Sequence, residues 1–217
     1  LGDLFKMLFA MPKTSKQVKR LKDKGYPVKN ILDIIASDDN THTIVYTSPE
    51  FQPCFETFSE KYAFVGPSIR SANEEIEKKR DKLIYISMGT VNNDMMPFYK
   101  ACISALRDTD YQVIMSVGNL VSIKDFGELP ENISIFSHVD QIAVLKKADV
   151  FVSHCGMNSV SESLYFEGPL VMLPQTSEQK GVAERVSQLG AGIKVDKSDG
   201  VSVMTAINKI LSIDTYK

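Results

Sequence analysis

Short apolar runs alternate with amphipathic stretches along the chain from residue 81 onward. The runs are rich in Val, Ile, Leu and Met and predict strands at 83–86, 113–117, 133–136, 150–152, 170–173 and 193–195. Between them, apolar residues three or four positions apart predict helices near 95–107, from 141, after 154, at 182–189 and at 203–210. Continuous apolar strands separated by helices are typical of a parallel sheet covered on both faces. The predicted fold class is therefore α/β, with a Rossmann-like sheet.

The first 66 residues follow a different pattern. Basic helical turns over 13–24 precede a single predicted strand at 43–46, which is too little for a complete α/β domain. We predict that residues 1–66 are the end of a preceding domain plus a linker, and that residues 67–217 form a second domain. The chain begins at Leu1 rather than at a Met, so we expect it to be a fragment.

Composition excludes several classes of protein. The formal net charge is −2, so no basic surface for nucleic acid or anionic membranes is expected. The longest apolar runs are far too short for a membrane span. The three cysteines form no C-x-x-C pair, which argues against a zinc site or a disulfide framework. We expect a cytoplasmic protein without a metal or a cofactor.

Polar residues follow several of the predicted strands directly. Ser87, His154 and Gln175 each come just after a strand or after its terminal proline. Because ligands of parallel α/β sheets bind at the carboxyl ends of the strands, we expect these side chains to face a common ligand.

The segment FVSHCGMNSV at 151–160 joins a predicted strand to the start of a helix. A helix N-terminus presents free N–H groups that suit an anion such as a phosphate. Gly156 would allow close approach, and His154, Asn158 and Ser159 could donate hydrogen bonds. Glu162 follows two turns after His154 and could accept from a ribose diol. The same residues are also consistent with a plain helix cap and a structural histidine.

Four segments together resemble the signature of the UDP-sugar-dependent glycosyltransferases of the GT-B fold. They are FVGPS at 64–68, YISMGT at 85–90, HVDQ at 138–141 and ADVFVSHCGMNSVSESLYFEGPLVMLPQTSEQ at 148–179. The resemblance extends over residues 43–212 and is strongest to the bacterial branch that includes macrolide glycosyltransferases. It implies that the chain is the C-terminal, donor-binding half of such an enzyme.

The resemblance also assigns roles to individual positions. Those implied for the donor diphosphate are His154, Gly156, Asn158, Ser159, Ser87, Gly89 and Thr90. Those implied for the base are His138, Val139 and Gln141. Glu162 would bind the ribose, and Glu178 and Gln179 would bind the sugar hydroxyls.

Three positions depart from the family pattern. His138 stands where the family has a Trp that stacks on the base, so stacking is expected to be weaker and either a uridine or a thymidine nucleotide remains open. Asp140 replaces a Pro, and Val182 stands where many members have an Asn.

The activity implied is inverting, metal-independent transfer of a hexose from a UDP-sugar to a hydroxyl of a small-molecule acceptor. The general base of the family is a His near the start of its N-terminal domain, and no His precedes His42 here. We therefore expect no catalytic residue in this chain, little activity without the missing N-terminal domain, and an acceptor that the sequence does not identify.

Other functions stay open at this point. A non-catalytic nucleotide-sugar-binding subunit that needs a partner chain would carry the same motif. A dinucleotide oxidoreductase is disfavoured because no G-x-G-x-x-G turn follows the strand at 83–86. A sugar-nucleotide epimerase would share the fold, but its acids cannot be located.

Overall fold

The computed structural model describes residues 14–30, 33, 41–90 and 92–213. The chain forms two compact units. The smaller contains the residues up to Val45 together with Cys54–Val65, and the larger contains Tyr46–Pro53 and the residues from Gly66 onward. Part of the first predicted domain, at 1–13, 31–32 and 34–40, lies outside the described residues.

The smaller unit contains helical residues 14–23 and a two-stranded parallel sheet. Strand β1 (Thr43–Val45), which was predicted, pairs with β2 (Tyr62–Phe64), which was not. A 3-10 turn at Phe55–Thr57 lies between them in the chain, and the Phe55 ring packs edge-on against Phe64 at 5.0 Å between centroids. The prediction of a single strand here was wrong, because β2 is only three residues long and lacks a periodic signal.

The larger unit is built on a six-stranded parallel sheet. Its strands are β3 (Leu83–Ser87), β4 (Gln112–Ser116), β5 (Ile133–Phe136), β6 (Val150–Ser153), β7 (Leu170–Met172) and β8 (Gly192–Lys194). All six predicted strands are confirmed, with bounds that differ by one residue at most. The spatial order is β5-β4-β3-β6-β7-β8, so the chain builds outward from β3 and then returns to place β6 on its other side.

Five α-helices cover the sheet. They are α1 (Met96–Leu106), α2 (Gln141–Leu145), α3 (Met157–Tyr165), α4 (Ser177–Gln188) and α5 (Gly200–Ser212). A 3-10 turn at Ile123–Phe126 was not predicted. In the described ranges no helix has the length and apolar character needed to cross a bilayer.

The two faces of the sheet are buried under different helices. Ile84 and Ile86 of β3 point into a core shared with α1 and α5, whereas Leu83 and Tyr85 point into a core shared with α2, α3 and α4. Successive strand residues point to opposite faces, so a strand buried on both sides must be apolar at every position. This arrangement confirms the predicted sheet with helices on both faces.

Helix α5 packs tightly against α1 at Gly200, the first residue of α5. A Cβ atom added there would lie 2.1 Å from the Ala101 carbonyl oxygen and 3.0 Å from the Ala105 Cβ. Because the nearest atom belongs to the backbone of a packed helix, it cannot be relieved by a side-chain rotation.

We predict that Gly200→Ala lowers the free energy of unfolding by about 1–3 kcal/mol, since the added methyl group forces α1 and α5 apart. Gly181→Ala is the matched control: Gly181 lies inside α4 with nothing within 4 Å of an added Cβ. This control should stabilise the protein by up to ~1 kcal/mol, because Ala is the better helix former. Urea unfolding of the three proteins measures both effects, and a neutral Gly200→Ala would show that the helices adjust freely.

Candidate functional site

An open cavity of about 500 Å³ lies at the carboxyl ends of β3, β4 and β6. This is the edge where the strand order reverses, which is the usual position of ligand sites in open α/β sheets. The volume is within the range of small-molecule sites. Every residue that was predicted for the diphosphate, the base or the ribose lines it: Ser87, Gly89, Thr90, His138, Val139, Gln141, His154, Gly156, Asn158, Ser159 and Glu162.

The His154 ring is held between two glycines. A Cβ atom at Gly89 would lie 2.5 Å from the ring Cε1, and one at Gly156 would lie 2.8 Å from Nε2. Gly89 also has a φ of 80°, in the left-handed region that favours glycine. Cys155 has a φ of 67°, and its N–H donates to the Ser153 hydroxyl at 3.2 Å. The left-handed backbone at Cys155 and the absence of a Cβ at Gly89 and at Gly156 therefore fix the position of the imidazole.

Within the part of the chain that the structure describes, His154 Nδ1 is buried and has no hydrogen-bond partner. Burial lowers the pKa of His154 below its ordinary value, and the nearby charge of Glu178 and the backbone of Ser87 oppose this shift only in part. The ring is consequently favoured in its neutral form, which carries one N–H donor and one acceptor.

The N-terminus of α3 opens into the same cavity. Its N-cap is Gly156, which, like Met95 at the start of α1, offers no side-chain hydrogen bond to the first turn, whereas α2, α4 and α5 are capped by Asp140, Thr176 and Asp199. The uncapped N–H groups and the positive end of the helix dipole could therefore accept an anion beside His154.

A hydrogen-bonded cluster lies at the other end of the cavity, around Gln141. The Tyr85 hydroxyl donates to Gln141 Oε1 at 3.2 Å. Gln141 Nε2 donates to the Ser159 hydroxyl at 3.2 Å and to Glu162 Oε2 at 2.5 Å. Gln141 therefore connects the start of α2 to two residues of α3 that line the cavity.

Asp140 fixes the segment that carries this cluster. Its carboxylate accepts from Arg70 Nη2 and from the Asn73 N–H, both at 2.6 Å, and from the Ile142 N–H at 3.2 Å as the cap of α2. The Arg70 guanidinium holds the pKa of Asp140 well below its usual range. Arg70 itself lines the cavity, so the ion pair brings a cation to its rim.

The predicted base-binding residues have local partners as well. The His138 ring is exposed and lies 3.1 Å from Asn119 Oδ1, measured from Nε2. Val139 packs against the core beneath α2 and α3. Together they form the wall of the cavity nearest to the Gln141 cluster.

The structure does not bring Glu178 and Gln179 into the lining of the cavity. Both lie in the first turn of α4. Gln179 is 9% exposed and its Oε1 accepts from the N–H groups of Gln175 and Thr176, which forms a capping box with Thr176. The side-chain oxygen of Gln179 thus already accepts hydrogen bonds at the start of the helix, while the Glu178 side chain is exposed.

Sequence reasoning missed five lining residues: Arg70, Tyr85, Ser116, Gly118 and Met157. Ser116 and Gly118 follow the apolar residues of β4, so the strand-end rule could have identified them. Tyr85 lies inside an apolar run and was indistinguishable from a core residue. Nothing in the local sequence singles out Arg70.

No group of three or more His, Cys, Asp or Glu side chains that could hold a metal ion occurs in the described ranges. Cys155 is buried beside the site, and burial raises the pKa of its thiol to about 12, so it is not a nucleophile at neutral pH.

Residues 100–217 match the family model described as erythromycin biosynthesis protein CIII-like, C-terminal domain. The uncharacterized UDP-glucosyltransferase YojK of Bacillus subtilis is 39% identical over 177 residues, which are 79% of this chain and 44% of that protein. The NDP-glycosyltransferase YjiC of Bacillus licheniformis is 39% identical over 199 residues, which are 88% of this chain and 49% of that protein.

Two solved structures agree with this likeness. The glycotransferase of kitacinnamycin has a TM-score of 0.82 and 27% identity over 94% of this chain and 54% of its own. CalG4, the calicheamicin glycosyltransferase, has a TM-score of 0.77 and 26% identity over 98% of this chain and 56% of its own. The chain thus spans about half the length of the proteins that it matches.

We predict that His154 makes the free energy of unfolding depend on pH below 6.5, the ordinary pKa of the side chain. Because burial depresses the pKa in the folded state, the unfolded chain binds the proton more readily. The contribution of neutral His154 to the free energy of unfolding is complete above pH 6.5 and is lost as the pH falls towards the lowered pKa. Urea unfolding between pH 7.5 and 5 should show a shallower pH dependence for His154→Gln than for the parent; equal slopes would contradict the prediction.

Proposed function

Because the chain belongs to the family of erythromycin biosynthesis protein CIII-like C-terminal domains, we propose that it is the donor-binding part of a glycosyltransferase that uses a UDP-sugar. The observation that carries the proposal is the cavity at the strand reversal. There the N-terminus of α3, which has no side-chain cap, lines one cavity with His154, whose Nδ1 has no hydrogen-bond partner among the described residues, and with the Glu162 carboxylate, which Gln141 holds by a hydrogen bond.

The donor diphosphate would lie at the N-terminus of α3. The first N–H groups of this helix, the Asn158 and Ser159 side chains and a ring nitrogen of His154 would donate to the phosphate oxygens. Ser87, Gly89 and Thr90 follow β3 and would approach the same oxygens from the opposite wall. These donors stabilise negative charge without a metal ion.

The nucleoside would extend from this position towards α2. Glu162 would accept hydrogen bonds from the ribose hydroxyls, and His138 with Val139 would contact the base. Glu178 and Gln179 stay as a prediction for the sugar hydroxyls. For Gln179 only the Nε2 donors would be available to a sugar, since its Oε1 caps α4.

The proposed reaction is a single displacement at the anomeric carbon of a hexose. A bond forms from the acceptor oxygen to that carbon while the bond to the diphosphate oxygen breaks, and the electron pair leaves with the diphosphate. Attack from the opposite side inverts the configuration. A general base takes the acceptor proton, while the donors at α3 stabilise the charge that develops on the leaving group.

We place the general base and most of the pocket for a small-molecule acceptor outside these 217 residues. The chain has three histidines. His138 and His154 lie in the donor cavity, and His42 lies in the smaller unit. A complementary acceptor-binding domain would therefore be the partner required for transfer.

We predict that the chain binds UDP and UDP-glucose, and that His154→Ala weakens this binding roughly 10- to 100-fold, since a hydrogen bond to a charged phosphate is lost. Glu162→Ala should weaken it roughly 5- to 10-fold through the ribose. Isothermal titration calorimetry with UDP, UDP-glucose, dTDP-glucose and NAD measures both effects.

Matched controls are available for both variants. His42→Ala removes an exposed histidine, and Glu184→Ala removes an exposed carboxylate of α4; neither residue lines the cavity. Both should bind UDP as the parent does. If the parent binds none of the four nucleotides, or binds NAD in preference, the proposed function is wrong. Tighter binding of dTDP-glucose than of UDP-glucose would support the proposed donor site but show that it prefers a thymidine nucleotide.

A steric prediction tests the position of the imidazole. Gly89→Ala should weaken UDP binding at least about fivefold, because the added methyl group displaces the His154 ring. Gly190→Ala is the control, since Gly190 also has a positive φ but has nothing within 4 Å of an added Cβ. Both variants carry backbone strain, so only a selective loss of UDP affinity in Gly89→Ala supports the close contact.

A further inference from the structure

The Gln141 amide has its orientation dictated by its neighbours. The Glu162 carboxylate can only accept hydrogen bonds, so the amide nitrogen must face it. The carbonyl oxygen then faces Tyr85, and the phenolic proton is donated to it at 3.2 Å. One hydrogen-bonded chain consequently runs from Tyr85 through Gln141 to Glu162.

Tyr85 anchors this chain in a fully buried strand inside the parallel sheet. It is the central residue of β3, is 1% exposed, and stacks on Phe151 of β6 with ring centroids 4.8 Å apart and planes 14° apart. The hydroxyl is therefore held in place by two adjacent sheet strands. Burial raises the pKa of Tyr85 well above its ordinary value, which keeps the phenol protonated and able to donate.

We propose that Tyr85 is a positioning residue for ribose recognition: its hydroxyl holds the Gln141 amide, which in turn holds the Glu162 carboxylate where it accepts from a ribose diol. This inference rests on the proposed function. Glu162 Oε2 is occupied by Gln141, so the carboxylate cannot rotate freely, and its remaining acceptor positions serve the ligand. A preorganised carboxylate binds a diol with less loss of conformational freedom.

The test is Tyr85→Phe, which keeps the ring and its stacking and removes only the hydroxyl. Without it, Gln141 Oε1 loses its buried donor and the amide is released from Glu162. Affinity should fall roughly three- to tenfold for UDP, the range expected for one lost hydrogen bond. Affinity for 2′,3′-dideoxy-UDP, which lacks the diol, should not change. The ratio of the two affinities, measured by calorimetry, is the readout.

Tyr99→Phe is a matched control, because Tyr99 is also fully buried but lies on α1 and does not line the cavity, and its hydroxyl has no partner among the described residues. It should leave both affinities unchanged. Thermal unfolding of each variant shows that it is folded. A second test is the double variant: on a Glu162→Ala background, Tyr85→Phe should have no further effect on UDP, since the residue through which it acts is gone.

The outcomes separate this inference from the proposed function. If His154→Ala weakens UDP and the dideoxy analogue equally while Tyr85→Phe leaves their ratio at the parent value, the donor site stands and the role of Tyr85 is refuted. An equal loss for both ligands in Tyr85→Phe would also refute it, because a general structural effect does not depend on the diol. If the parent binds no nucleotide, the proposed function is wrong, and the inference on Tyr85 is wrong with it.

Discussion

The parallel pairing of β3 with β6 is the constraint on which the site depends. The paired residues of these strands are 66 positions apart in the chain, and their register places Ser87 beside Ser153 at the carboxyl end of both. The segments that leave the two strands are thereby brought together, so that Gly89 meets the His154 ring and the N-terminus of α3 opens beside them. Both strands also carry the stacked rings of Tyr85 and Phe151 that support the floor of the cavity.

The electrostatic character of the cavity follows from this geometry rather than from a cluster of positive charges. The cation at the rim, Arg70, is paired with Asp140, and His154 is favoured in its neutral form. Attraction for an anion therefore rests on helix N–H groups and neutral donors, which act at short range and in fixed directions. Such a site selects a ligand by the position of its oxygens more than by its net charge.

The sequence predicts the parallel sheet because buried strands need apolar residues at every position, and it predicts the phosphate end of the site because strand ends share one edge. The sequence does not predict the site residues whose roles depend on contacts between distant segments. Tyr85 is read as core until its hydroxyl is seen to reach Gln141, 56 positions away. Arg70 has no local pattern, since only the fold brings it to Asp140. Strand β2 is too short for its period to be recognised.

The end of the cavity around Gln141 depends on a helix that is too short to form by itself. Helix α2 has five residues, fewer than an isolated helix needs, so its position must come from tertiary contacts, which are the burial of residues 142–145 and the hydrogen bonds at its start. Asp140 supplies them at the start by accepting from Arg70, Asn73 and Ile142. A proline at this position would restrict the backbone but could accept none of these bonds. Asp140 holds the backbone at the start of α2 and Tyr85 holds the side chain of Gln141, so a departure from the family pattern becomes part of how the Glu162 carboxylate is held.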